Sequence, residues 1–136
     1  MRQTPPSKRL GAAAVEVALT LPILLLFTFA GWEFSRINAM RNTMENAAYE
    51  AARESMLPGA TLEKVQSQAN AVLDGIGIVG TTVSMTPAII DHDTDDVTIS
   101  ITAPVAANSL GVLKYFTSGN ITTSMTLSRE MQPGHF

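Results

Sequence analysis

Residues 11–32 read GAAAVEVALTLPILLLFTFAGW, and this stretch decides the architecture of the chain. Glu16 is its only ionisable side chain, and residues 17–32 carry no charge. A helix that rises about 1.5 Å per residue needs roughly 20 apolar residues to cross the hydrocarbon core of a bilayer. The stretch is just long enough, and Trp32 stands at its far end, where an indole suits the membrane interface. The sequence therefore predicts one membrane-spanning helix.

Positive charges on either side of the apolar stretch set its expected orientation. Arg2, Lys8 and Arg9 precede it with no acid among them, whereas Arg36 and Arg41 follow it. Positively charged residues concentrate on the cytoplasmic side of membrane helices. Because the denser cluster comes first, we expect the N-terminus in the cytoplasm and the C-terminal part across the membrane.

Three interpretations of this segment stay open. It could be a secretory signal cut before Gly31, or a plain anchor in which the acid is incidental. In the third interpretation, Gly11 and Glu16 work together. A glutamate inside an apolar helix costs on the order of a few kcal/mol, so such residues usually have a partner. A cut after Gly11 would make Ala12 the new N-terminus, and Glu16 could then pair with an α-amino group near the positive end of the helix dipole.

The helix is predicted to continue beyond the membrane. Residues 33–57 contain no glycine or proline, and Leu57-Pro58-Gly59 then ends the run. Apolar residues recur at steps of three and four, which is typical of a helix with one buried face. The members of this stripe are Ile37, Met40, Met44, Ala47 and Ala51, widened by Ala48 and Ala52. One helix from Ala12 to about Met56 follows.

Three segments of this helix carry a family pattern. Residues 8–22 read KRLGAAAVEVALTLP, residues 33–36 read EFSR, and residues 46–53 read NAAYEAAR. This combination resembles the start of TadE-like pseudopilins, which are minor pilins of the tight-adherence (Tad/Flp) pilus system. The spacing of the glycine and the glutamate before an apolar run is moderately specific, and the helix pattern that follows strengthens it.

The resemblance implies a pilin-like fold and a non-catalytic role in pilus assembly or secretion. It implies that a prepilin peptidase cuts between Gly11 and Ala12 and that Glu16 acts in assembly. The implied partners are that peptidase, other pilins and pseudopilins, the Tad inner-membrane platform and membrane lipid. The implied location is the bacterial inner membrane, with a periplasmic head, or the pilus. The alternative is a single-pass, membrane-anchored extracytoplasmic binding module that never enters a filament.

The C-terminal part is predicted to form a small α+β head. Thr61 can cap a second, amphipathic helix over residues 61–75. Alternation of apolar and hydroxyl residues then predicts three strands, which would form a small antiparallel sheet against the helices. The strands are expected at Thr81–Thr86, Val97–Ala103 and Ile121–Leu127, with a short helix or turn over Leu110–Phe116.

These patterns divide the chain into five predicted parts. They are a basic leader (1–11), the transmembrane helix (12–32), its extramembrane continuation (33–57), the α+β head domain (58–130) and a disordered tail (131–136).

Composition argues against several kinds of chemistry. The 136 residues include no cysteine, which excludes disulfides, thiolate metal sites and a cysteine nucleophile. The net charge is −3, and the sequence has no basic patch of the kind that binds nucleic acid. The run from Gly75 to Gly80 reads G-x-G-x-x-G but follows a helix and precedes a strand, the reverse of a dinucleotide-binding motif. Asp91, Asp93 and Asp95 have the spacing of the first ligands of a calcium loop, but the later ligands are missing. A solvated turn is therefore the simpler interpretation, and weak Ca²⁺ binding is the alternative. No enzyme, cofactor or metal site is predicted.

Overall fold

The computed structural model describes residues 7–90, 94–109 and 118–128, the first four by their backbone alone. Its elements are helices α1 (Ser7–Ser55), α2 (Leu62–Asp74) and α3 (Val105–Asn108), and strands β1 (Thr82–Thr86), β2 (Asp96–Pro104) and β3 (Asn120–Ser128). A long helix, a second helix and a three-stranded antiparallel sheet make the fold α+β, as predicted from the sequence.

Helix α1 is one continuous element, but its bounds differ from the prediction. It begins at Ser7 rather than Ala12, because no residue between Pro6 and Gly11 prevents helix formation and a single glycine is tolerated in a helix. It ends at Ser55, one residue before the predicted end at Met56. Met56 then donates its backbone N–H to the carbonyl of Arg53 at 3.2 Å in a tighter closing turn.

The chain divides into two compact units, one ending at Ser35 and one beginning at Arg36. In the first unit, the described residues form the N-terminal part of α1. The side chains from Gly11 to Trp32 are all exposed there. The second unit holds the rest of α1 and every other described element, and the hydrophobic core lies in it.

The predicted apolar stripe of α1 packs into that core. Met44 and the alanines of the stripe are fully buried, Met40 is 4% exposed, and Ile37 is half-buried. Because alanine has a single-carbon side chain, the four alanines allow neighbouring atoms to approach the helix backbone closely. These residues are Ala47, Ala48, Ala51 and Ala52.

Helix α2 forms as its sequence predicts at the N-terminal end. Thr61 is the N-cap, and its hydroxyl accepts the backbone N–H of Lys64 at 3.4 Å. Val65, Ala69 and Leu73 form the buried face. The helix ends at Asp74, one residue before its predicted end, and Ile76 beyond it is 52% exposed.

The sheet is a meander in the order β1-β2-β3, antiparallel throughout. Central strand β2 alternates as predicted, and Val97, Ile99, Ile101 and Ala103 are fully buried. The opposite face of the sheet presents hydroxyl groups in rows across the strands. These rows are Thr86–Thr98–Thr126, Ser84–Ser100–Ser124 and Thr82–Thr102–Thr122.

A glycine-rich turn, Gly75–Gly80, joins α2 to β1. Gly80 has a φ of +73°, and a Cβ at this position would lie 3.1 Å from the Pro104 ring. Glycine therefore suits both the backbone conformation and the available space. This assigns the G-x-G-x-x-G sequence to a helix-to-strand turn, as predicted. Helix α3, which spans only four residues, was not predicted, and the predicted element over Leu110–Phe116 lies outside the described residues.

Candidate functional site

Glu16 interrupts an exposed apolar surface on α1. The carboxyl side chain is exposed, and its neighbours Val15, Val17 and Leu19 are 60%, 58% and 67% exposed. Such a surface is unfavourable in water, because removing apolar surface from water stabilises a protein by about 25 cal/mol for each Å². By length and composition this part of α1 can cross a membrane, so it is a candidate membrane anchor.

Hydroxyl groups within the anchor are satisfied by the helix itself. The hydroxyl of Thr20 donates to the carbonyl of Glu16 at 2.9 Å, and that of Thr28 donates to the carbonyl of Leu24 at 2.8 Å. Such bonds to the preceding turn let threonine lie in a lipid-facing helix without an unpaired donor. Pro22 also lies inside the helix and has no N–H to donate to the preceding turn.

Gly11, Ala12 and Glu16 lie close together at the N-terminal end of this segment. All three are exposed and helical. At about 1.5 Å per residue, the five-residue step from Gly11 to Glu16 spans roughly 7.5 Å, or about one and a half turns. An ideal Cβ built on Gly11 meets no atom within 4 Å, so the fold itself places no steric demand for glycine there.

A buried polar cluster in the second unit was not predicted. Asn108, which is 5% exposed, accepts the backbone N–H of Val79 through Oδ1 at 2.9 Å. Its Nδ2 donates to the carbonyls of Val79 and Pro104, both at 2.9 Å. The carbonyl of Asn108 accepts the Nε–H of Arg36. Arg36 therefore links α1 to the C-terminal residue of α3 by a hydrogen bond. This contact gives the arginine of the EFSR segment a structural role.

Glu33 of the same segment is also buried, at 5% exposure. In the sequence it stands out only as the first residue of the EFSR segment. Its spacing from the neighbouring residues in the sequence does not mark it as buried.

The acidic turn offers no described metal site. Among the described residues, no group of three histidine, aspartate or glutamate side chains is placed to hold a metal ion. Asp91 and Asp93 lie outside the described residues, so weak Ca²⁺ binding with Asp95 stays a prediction. Asp96 accepts the hydroxyl of Ser128 at 2.6 Å across the β2–β3 pair, so its carboxylate already has a structural partner.

The geometry defines a class of protein: a candidate N-terminal membrane anchor, carrying one acid, precedes a small α+β unit. The family model described as TadE-like protein matches residues 11–53. This match confirms the resemblance to TadE-like proteins over that part of the chain, and the family is one of Tad pilus-associated proteins. Comparisons with curated proteins and with solved structures give no match.

The matched region covers two different surfaces of α1. Its first half is the exposed apolar segment with Gly11 and Glu16. Its second half includes Arg36 and the buried alanines, and it ends at Arg53, just before the helix ends at Ser55. The second half therefore has an explanation in the packing of this fold. The glycine and the glutamate have none, which makes them the residues to examine for function.

Proposed function

We propose that the protein is a minor pilin, or pseudopilin, of a Tad-type pilus and that it has no catalytic activity of its own. The observation that carries this proposal is the single acid, Glu16, five residues after Gly11 in the otherwise uncharged and exposed apolar segment 11–32 of α1. Neither residue is required by the packing of the chain. A prepilin peptidase and neighbouring subunits are partners that would require them.

Processing would create the group that Glu16 needs. Hydrolysis of the peptide bond between Gly11 and Ala12 releases the basic leader and leaves a positively charged α-amino group on Ala12. Glu16 lies four positions after Ala12, so the two residues lie on one face of the helix. In an apolar surrounding, an ammonium group and a carboxylate attract each other far more strongly than in water.

Pairing of Glu16 in one subunit with the α-amino group of a neighbouring subunit would set the position of one subunit against the next. A lone carboxylate among apolar helices is costly, so an arrangement that brings it to an α-amino group is favoured over other registers. Before assembly, the anchor would hold the subunit in the bacterial inner membrane, with the leader in the cytoplasm and the head in the periplasm. Other pilins and the inner-membrane platform would then be its partners.

The first experiment tests processing. Mass spectrometry of the protein purified from its own cells should find Ala12 at the N-terminus. Gly11→Val should abolish that cleavage without disturbing the fold, because a Cβ at Gly11 meets no atom within 4 Å. Gly31→Ala is the matched control, since its Cβ also meets nothing and it lies at the alternative signal cleavage site. An N-terminus at Gly31 would refute the proposal in favour of a secretory signal.

The second experiment tests the role of Glu16. Glu16→Gln removes the charge with little change in size, so membrane insertion should persist while incorporation into pili is lost. Glu45→Gln is the control, because Glu45 is also exposed on α1 but lies in the second unit. Normal incorporation of Glu16→Gln would exclude the proposed pairing. An intact leader in cells that assemble pili would favour the membrane-anchored binding module instead.

A further inference from the structure

Strand β3 is an edge of the sheet. It spans Asn120–Ser128, and within the described residues it pairs with β2 alone. An edge strand presents a row of N–H and C=O groups that can form a ladder with another chain. A ladder on the other side of β3 would be main-chain pairing of the kind that already joins it to β2.

The two edges of the sheet differ in their protection. Strand β1 has only five residues and is followed directly by Pro87, and short length and proline both discourage further pairing. Strand β3 has nine residues and contains no proline, glycine or ionisable side chain. Of the usual devices that block an edge, β3 therefore carries none in its own sequence.

Burial across the β2–β3 pair points to missing cover on the β3 side. Val97 and Ile99 are fully buried, whereas their cross-strand partners Leu127 and Met125 are only half-buried. Ile121, opposite the fully buried Ala103, is half-buried as well. The inward face of β3 is apolar in sequence but incompletely covered, and a further strand at this edge would cover it.

We propose that β3 pairs with β3 of a second copy of this chain, antiparallel and with the two-fold axis at Ser124. In this register Ile121 meets Leu127 of the second copy, and Thr123 meets its Met125. On the other face, Thr122 meets Thr126. Because side chains alternate with a period of two, the two inward faces would form one surface and the hydroxyl rows would continue across the joint.

Chemistry favours a second copy as the occupant. Identical strands that carry charge repel each other when paired, but β3 carries none. The symmetric register places apolar groups against apolar groups or threonine, and hydroxyls against hydroxyls. Threonine pairs of this kind already occur between β2 and β3, where the hydroxyl oxygens of Thr98 and Thr126 are 2.8 Å apart. A two-fold interface of this kind is closed, so pairing stops at the dimer.

The proposal rests on the sheet and is independent of the role of Glu16. The Glu16→Gln chain should therefore still form the β3 pair even where it fails to enter pili. That difference separates a failure of this inference from a failure of the proposed function.

The absence of native cysteine allows a direct test on the full-length chain in lipid vesicles. Ser124→Cys places one thiol on the proposed axis, where paired Cα atoms lie about 4.5–5.5 Å apart, within disulfide range. Ser84→Cys is the matched control, because Ser84 is exposed at the other end of the same row. Under mild oxidation we expect covalent dimer to form at least tenfold faster for Ser124→Cys. Equal rates, or no dimer from Ser124→Cys, would overturn the proposal, including the case in which another segment of the chain covers β3.

Two further measurements test the register and the edge. A mixture of Thr122→Cys and Thr126→Cys chains with tags of different size should give mainly heterodimers, and a predominance of homodimers would overturn the register. Adding Ser124→Lys to both chains places two like charges together at the axis and should reduce heterodimer at least tenfold, whereas Ser84→Lys should not. Unchanged crosslinking with Ser124→Lys would also overturn the proposal.

Discussion

The two halves of α1 use similar residues for opposite purposes. From Gly11 to Trp32 the helix is rich in alanine and large apolar residues, all of them exposed. From Met40 to Ser55 it again offers alanine and methionine, but here they are buried in the core of the second unit. One continuous helix thus carries a surface that its own chain covers and a surface that it does not.

The difference shows where folding ends and assembly begins. The buried half is fixed by side chains of α2 and the sheet, so its alanines are explained within one molecule. Within the described residues the exposed half has no such explanation, and its apolar side chains suit lipid or neighbouring helices. Substitutions matched between the halves should therefore have unequal effects on the stability of the second unit. For the full-length chain in detergent micelles, hydrogen exchange at the amides of β2 reports that stability.

The largest inequality is expected for loss of a large side chain. Met44→Ala should lower the free energy of unfolding of the second unit by about 2–5 kcal/mol, because Met44 is fully buried and its loss leaves a cavity. Leu24→Ala removes a side chain that is 61% exposed, so the change should stay within about 0.5 kcal/mol. Equal effects of the two substitutions would contradict the division between the halves.

Added volume should reveal the same contrast at a smaller size. Ala48→Leu should destabilise the second unit by about 1–3 kcal/mol, because Ala48 is fully buried and three more carbons would have to displace the surrounding core atoms. Ala18→Leu, at an exposed position of the anchor, should leave β2 exchange unchanged. If Ala48→Leu were neutral, the alanines would not be needed for close packing of the helix.

Periodicity was enough to predict most of the fold. The spacing of Met40, Met44 and the alanines predicted the buried stripe, and Thr61 marked the start of α2. Alternation predicted all three strands to within one residue. It could not predict the unequal burial of β2 and β3, because both alternate in the same way. Their difference comes from the order of the strands, which places β2 between two neighbours.

The polar cluster escapes sequence reasoning, whereas the proposed site at Gly11 and Glu16 does not. Asn108 lies in a helix too short to have a period, and its partners Val79 and Pro104 are brought to it only by the tertiary fold. Gly11 and Glu16 were found in the sequence because they break an apolar run. Their proposed roles require a peptidase and neighbouring subunits, so the fold of one chain does not test them.

Arg36 lies at the start of the second unit and allows one hydrogen bond in that unit to be tested. Arg36→Met keeps an apolar stem but loses the donor to the Asn108 carbonyl. We expect a loss of about 1–2 kcal/mol, because the carbonyl of the buried Asn108 would lose a charge-assisted hydrogen bond. Arg41→Met, at an exposed position of the same helix, removes the same charge and should change exchange at β2 little. Similar losses would indicate a general effect of charge rather than the bond to Asn108.

The smallest expected effect compares two hydroxyls that bond to their own helix. The hydroxyl of Ser55, which is 1% exposed, donates to the carbonyl of Ala52 at 2.6 Å, and that of Thr28 donates to the carbonyl of Leu24 at 2.8 Å. Ser55→Ala should cost about 1 kcal/mol, because the buried carbonyl loses a hydrogen bond that water cannot readily replace. Thr28→Val keeps the shape of the side chain on a surface that lies outside the core, so hydrogen exchange at β2 should not change. A measurable loss for Thr28→Val would mean that the exposed half of α1 contributes to the stability of the second unit after all.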